Sequence, residues 1–234
     1  MLTFAVGPTY ALAVVKPLLG RLWFAGTAVV VAIGLVVQLV ATARLHSGFF
    51  DSRAGRIVNM FCFFTIQSNI IVLVTCALLA AGSARRPLWF WVLRLDGVVC
   101  IAVTFVVFHV ALADLHDLQG LAKVADFLLH TASPLLCVIG WLVFGPRGRT
   151  SWRTVRLAAI FPVAWLVFAL VRGPLVGDYY PYPFLDVGAH GYPRVLLNCV
   201  VVAALFLGLA AGAHLLDRRL DDRLATRLSR GFGR

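Results

Sequence analysis

The chain has 234 residues, 61% of them hydrophobic and 13% charged, with a formal charge of +11 and a mean hydropathy of +0.92. Soluble domains are only about half apolar, so this composition excludes a soluble globular fold and points to a polytopic membrane protein of the all-α class. The basic charge does not indicate nucleic-acid binding, because the Lys and Arg residues cluster in short segments beside apolar runs and in the C-terminal tail, where they report membrane topology.

In chain order, the first fifteen residues are apolar without a preceding basic stretch; Lys16 and Arg21 follow them instead. This pattern predicts a short interfacial lead-in rather than a cleaved signal peptide. Six apolar runs then reach the ~20 residues that cross a hydrocarbon core of ~30 Å. They cover about 22–44, 57–81, 89–112, 122–145, 153–173 and 193–216. The expectation is a single six-helix transmembrane domain over 1–216, followed by a cytoplasmic tail over 217–234. In the tail, Leu216, Leu220, Leu224 and Leu228 recur every fourth residue among arginines and aspartates, which predicts a basic amphipathic helix lying on anionic lipid. With the N-terminus inside, fourteen Lys and Arg fall on cytoplasmic segments and six on outer ones, with Arg94 inside the third run. Both termini are therefore expected to be cytoplasmic, in a bacterial cytoplasmic membrane.

Cys62, Cys76, Cys100, Cys137 and Cys199 all fall within predicted spans and form no CxxC pattern, so neither disulfides nor a zinc cluster is expected. The outer segments carry Asp114, His116 and Asp117, and then the string from Asp178 to Asp186, where tyrosines alternate with prolines. That string cannot continue a helix. It reads as an aromatic anchor at the headgroups or as a lid over a cavity.

Polar side chains inside the apolar runs need partners or a cavity, because lipid offers no hydrogen bonds. Thr65, Ser68 and Asn69 form one such group in the second run, and Asp126 and His130 another in the fourth. Thr65 and His130 each lie eight residues into runs of the same direction, so at 1.5 Å per residue both sit ~12 Å below the same boundary. Asp126 precedes His130 by four residues and can orient its imidazole. Ser68 and Asn69 follow Thr65 by three and four, crowding one helix face. A hydroxyl is unreactive until a base takes its proton, so a Thr or Ser facing a His suits acyl transfer, with an amide such as Asn69 or Asn198 as oxyanion donor. Taken singly, each of these residues has an ordinary structural reading, and Ser68 is an alternative to Thr65. Gln38, His109, Lys123, Arg172 and Asn198 collect toward the same side. Arg172 is expected either to hold a carboxylate head group or to pair with an acidic loop residue. Arg94 and Asp96 are expected to form a structural ion pair, or Arg94 to snorkel. His109, Asp114, His116 and Asp117 match no metal-site spacing, so no metal is expected.

The Phe-Phe-Thr65-Ile-Gln-Ser-Asn69 string, His130-Thr-Ala-Ser-Pro134, the basic Trp141–Arg149 loop and Arg172-Gly-Pro174 with Tyr180-Pro-Tyr-Pro-Phe184 resemble a bacterial group of six-helix membrane proteins. That group is similar to the eukaryotic androgen-induced family, which includes the androgen-dependent TFPI-regulating proteins. The resemblance implies an intramembrane hydrolase with a threonine nucleophile, Thr65, and a histidine partner, His130. For the eukaryotic members it implies cleavage of fatty acid esters of hydroxy fatty acids.

The leading expectation is a hydrolase of lipid-like esters that needs no cofactor, with Thr65, His130 and Asp126 catalytic and Ser68, Asn69, His109, Arg172 and Asn198 around the substrate. Its partners would be an amphiphilic ester and membrane lipids, and no nucleic acid. Two other readings stay open: a small proton-coupled carrier using the same polar residues, and a non-catalytic scaffold whose polar residues join helices.

Overall fold

The structure is a computed structural model that describes residues 8–82, 86–115 and 117–232, with side chains from 17 to 222 apart from 114. Helix α1 (Pro8–Ala43) leads to α2 (Arg53–Phe61), α3 (Phe64–Ala81), α4 (Leu88–Val107), α5 (Gly120–Phe127), α6 (Ser133–Phe144), α7 (Trp152–Ala158), α8 (Ile160–Leu175) and α9 (Val187–Phe232). Two π-helical turns extend or join these elements: Phe108–Leu112 continues α4, and Leu128–Ala132 links α5 to α6. The described residues include no strand.

Six helical stretches are long and apolar enough to cross a membrane: Pro17–Ala43, Phe64–Ala81, Leu88–Leu112, Gly120–Phe144, Trp152–Leu175 and Val187–Asp222. The chain is thus an all-helical integral membrane protein by length and composition. Its predicted spans are recovered, with three differences.

The lead-in is not a separate segment from Pro8 onward. It continues into α1, whose 36 residues extend ~54 Å, beyond the ~30 Å of a hydrocarbon core. Residues 1–7 lie outside the described residues.

The expected run over 57–81 is broken. Cys62 closes the last turn of α2 by donating its N–H to the Asn59 carbonyl, and Phe63 is extended (φ −73°, ψ 136°) before α3 begins. A helix break inside a membrane protein exposes backbone groups that must find partners. The Trp165 indole donates to the Cys62 carbonyl at 2.9 Å, and the Tyr182 hydroxyl accepts the Thr65 N–H at 3.1 Å.

The tail is not a separate helix. Helix α9 runs to Phe232, interrupted only at Gly191 (φ 71°) near its start. The leucine stripe at Leu224 and Leu228 falls outside the described side chains.

Helix α4 forms the centre of the bundle, with α3, α6, α7 and α9 packed around it. Its Leu95, Val98, Val99 and Ile101 belong to one buried core with Phe24 and Val31 of α1, Val72 of α3, Cys137 and Trp141 of α6, and Phe206 of α9. In lipid such contacts depend on close backbone approach rather than on the hydrophobic effect. Gly140 shows this: a Cβ there would come within 2.6 Å of the Trp23 indole nitrogen, which donates across the interface to the Leu136 carbonyl at 3.0 Å.

Arg94 neither snorkels nor pairs with Asp96. It is 3% exposed, its Nη1 lies 3.6 Å from both the Cys76 and Cys137 sulfurs, and its guanidinium sits over the Phe24 ring. No ion pair joins it to Asp96 among the described residues, because side chains two apart on a helix leave opposite faces. On the same side of the bundle, Asp217 accepts from the Arg149 and Thr150 backbone N–H groups and from the Thr150 hydroxyl. These bonds fasten the α6–α7 connection to α9.

Candidate functional site

The break between α2 and α3 decides the state of Thr65. In a continuous helix, a Thr or Ser hydroxyl is usually consumed by the carbonyl three or four residues earlier. Ser68 donates to the Phe64 carbonyl at 2.8 Å, Thr75 to Ile71 at 2.8 Å and Thr27 to Trp23 at 2.9 Å. Thr65 is the second residue of α3, where no helical carbonyl lies behind it. Its hydroxyl is left for a tertiary partner, the Tyr182 hydroxyl at 3.2 Å.

His130 lies in the middle of the π turn Leu128–Ala132. Single π turns of this kind are frequent at functional sites. The Phe108 ring, from the π turn of α4, stacks flat on the imidazole with centroids 4.1 Å apart and an interplanar angle of 11°. His130 Nδ1 is 2.9 Å from Asp126 Oδ1 and 3.2 Å from the Asp126 carbonyl, two acceptors that hold a hydrogen on Nδ1 and leave Nε2 as the other ring nitrogen of the imidazole. No hydrogen bond joins Thr65 to His130.

The two residues share two cavities. One, of about 240 Å³, is lined by apolar side chains including Val103, Trp165, Ala203 and Phe206. Its rim residues Val163 of α8 and Leu207 of α9 are 59% and 52% exposed, so the mouth opens beside the outward faces of these helices. The other, of about 580 Å³, is a polar vestibule lined by Gln38, Arg56, Asn59, Lys123, Asp126 and Tyr179 among others. Thr65, His130, Tyr182, Phe108 and Leu112 line both. The hydroxyl, the imidazole and the phenol therefore stand where an oil-like space meets a polar one.

The remaining expected site residues are placed differently. Ser68 is fully buried, lies 3.3 Å from the Thr104 hydroxyl and lines neither cavity. Asn69 is also fully buried. Its Nδ2 donates to the carbonyls of Thr65 (2.8 Å) and Leu129 (3.2 Å), and its Oδ1 accepts from the Ser133 hydroxyl at 2.6 Å. With both amide hydrogens on backbone oxygens, Asn69 has no donor left for an oxyanion. It acts as a brace between the backbone of Thr65 and that of the residue before His130. Asn198 donates to the Phe184 carbonyl at 2.9 Å and fastens the Tyr-Pro loop to α9.

His109 is exposed and lines neither cavity; its Nε2 lies 3.3 Å from the Thr131 hydroxyl. Arg172 sits over the Phe50 ring and forms no ion pair among the described residues, with Nη1 buried and unpartnered. Of the residues weighed as metal ligands, His116 and the side chain of Asp114 lie outside the described set.

The sequence pointed to the Tyr-Pro string but not to Tyr182 within it. Tyr182 stacks parallel on Phe184 (5.4 Å, 4°) and meets Phe63 edge-on, which fixes its hydroxyl at the start of α3. Burial pushes its phenol above the ordinary tyrosine value while the bonds to Thr65 oppose the shift, so the phenol stays protonated at neutral pH. Gly173 makes room for the loop: a Cβ there would run into the Tyr180 ring. The pattern of alternating Tyr and Pro carries no signal for which hydroxyl faces inward, because that depends on a partner more than a hundred residues away.

No family model, curated protein or solved structure matches the chain.

Proposed function

We propose that the protein is an intramembrane hydrolase of lipid-like esters, with Thr65 as nucleophile, His130 as general base and then acid, and Asp126 orienting the imidazole. The observation that supports this reading is the shared wall: a hydroxyl not bound to its own helix and an imidazole whose Nδ1 is held by Asp126 both line the junction of an apolar cavity and a polar vestibule. An acyl chain would occupy the apolar cavity, and the alcohol portion and water the vestibule.

In the reaction, the Thr65 oxygen adds to the ester carbonyl while its proton passes to His130 Nε2, and the carbonyl electron pair moves to oxygen. Collapse of this intermediate breaks the bond to the alcohol oxygen, which takes the proton from His130. Water then attacks the acyl-threonine, His130 accepts the water proton, and the carboxylic acid leaves with Thr65 reprotonated. Proton transfer requires Thr65 Oγ1 and His130 Nε2 within about 3 Å, an approach that catalytic groups often complete only when substrate is bound. The charge bias of the sequence supports cytoplasmic termini in a bacterial cytoplasmic membrane and a vestibule opening on the other side.

The test is covalent labelling of purified protein with a fluorophosphonate, together with hydrolysis of a p-nitrophenyl acyl ester. Wild type is expected to label and turn over, and Thr65→Ala and His130→Ala to do neither. A folded wild type that neither labels nor hydrolyses, but takes up solute into proteoliposomes, would replace this reading with the carrier.

A further inference from the structure

An acyl-transfer site needs a hydrogen-bond donor for the oxygen that gains charge, and the amides expected to supply one are committed elsewhere. Asn69 gives both amide hydrogens to backbone carbonyls, and Asn198 gives one to the Phe184 carbonyl and lines neither cavity. The group left at the junction of the cavities is the phenol of Tyr182. Its oxygen accepts the Thr65 N–H at 3.1 Å, among the first N–H groups of α3, which have no carbonyl partner within the helix. A phenol has a single proton to give. The group within its reach is Thr65 Oγ1, 3.2 Å away.

The hydroxyl is also held in place before any substrate arrives. Phe184 and Phe63 clamp the ring, Trp165 lies 5.8 Å from it, and Asn198 ties the neighbouring backbone to α9. A donor whose heavy atoms are fixed in advance stabilises a developing oxyanion more than a mobile side chain, since only its hydrogen has to turn during the reaction.

We infer that Tyr182 is a catalytic residue that donates its phenolic hydrogen bond to the oxyanion formed when Thr65 adds to the ester carbonyl. This inference rests on the hydrolase reading above. As the carbonyl enters, the ring stays clamped and only the phenolic hydrogen swings from Thr65 Oγ1 to the carbonyl oxygen, which releases a lone pair of Oγ1 for the attack while the Thr65 proton passes to His130. The phenol keeps its own proton throughout. The Tyr-Pro loop thereby completes the site as well as covering it.

The experiment is Tyr182→Phe, which keeps the ring and removes the donor, assayed with p-nitrophenyl octanoate. Loss of one oxyanion donor lowers kcat by about 10²- to 10³-fold. That loss is expected here with KM little changed. An octyl trifluoromethyl ketone, which adds to Thr65 and presents an oxyanion, should lose affinity by a similar factor, while the dialkyl ether of the same length inhibits wild type and variant equally.

A role confined to capping α3 predicts a lower melting temperature with wild-type kcat and wild-type ketone affinity, and that result would overturn the inference while leaving the hydrolase standing. A wild type without esterase activity or labelling would remove both. If Tyr182→Phe does not fold, Asn198→Ala serves: loosening the loop should reduce kcat and ketone affinity together with ether affinity unchanged, and wild-type values of both would reject the role.

Discussion

At the scale of single residues, the site is decided by which polar groups their own backbone has already used. Ser68 and Thr65 are both hydroxyls on one short stretch, yet Ser68 is bound to the Phe64 carbonyl while Thr65 is not bound to its helix at all. Thr65→Ala is expected to abolish ester turnover with a melting temperature close to wild type, whereas Ser68→Ala should retain turnover; parallel kinetics and thermal melts of the two variants check this. Asn69 shows the reverse. The sequence displays an amide beside the proposed nucleophile, but the structure spends that amide on Thr65, Leu129 and Ser133. Asn69→Leu leaves those buried groups unsatisfied and is expected to destabilise the protein by about 1–2 kcal/mol, measurable as a fall in melting temperature.

At the scale of elements, the interruptions carry more than the helices do. Hydropathy joins 57–81 into one span because Met60 to Phe64 are all apolar, and apolarity holds no record of a backbone turning. What holds the turn is a bond from another element, the Trp165 indole on the Cys62 carbonyl. Trp165→Phe removes that donor and is expected to lower stability by about 1–2 kcal/mol. It should also lower kcat, since the same break sets the position of Thr65. Circular dichroism melts and esterase kinetics on one preparation measure both. The two π turns are hidden for a similar reason: an extra residue in a turn leaves the hydropathy profile unchanged while altering which side chains point inward, as in the stacking of Phe108 on His130.

At the scale of the molecule, the packing of α4, α8 and α9 leaves an apolar space that no single helix predicts. Ala203 lines it, away from the polar vestibule. Ala203→Phe is expected to raise KM for p-nitrophenyl octanoate by about 10-fold or more, on the scale of filling a hydrophobic pocket by several carbons, with p-nitrophenyl acetate turned over as by wild type. Equal effects on the two esters would place the acyl chain elsewhere.

The sequence by itself determined the class and the number of helices long and apolar enough to cross a bilayer, because bilayer thickness converts directly into run length, and it marked Asp126 and His130 as neighbours because helical spacing is local. The tertiary structure decided the rest. Whether a hydroxyl is free, whether an amide is spent, and which tyrosine of the loop meets Thr65 depend on competition among hydrogen-bond partners brought from distant parts of the chain. That competition is settled by distance and angle in the folded bundle, and residue identity alone holds neither.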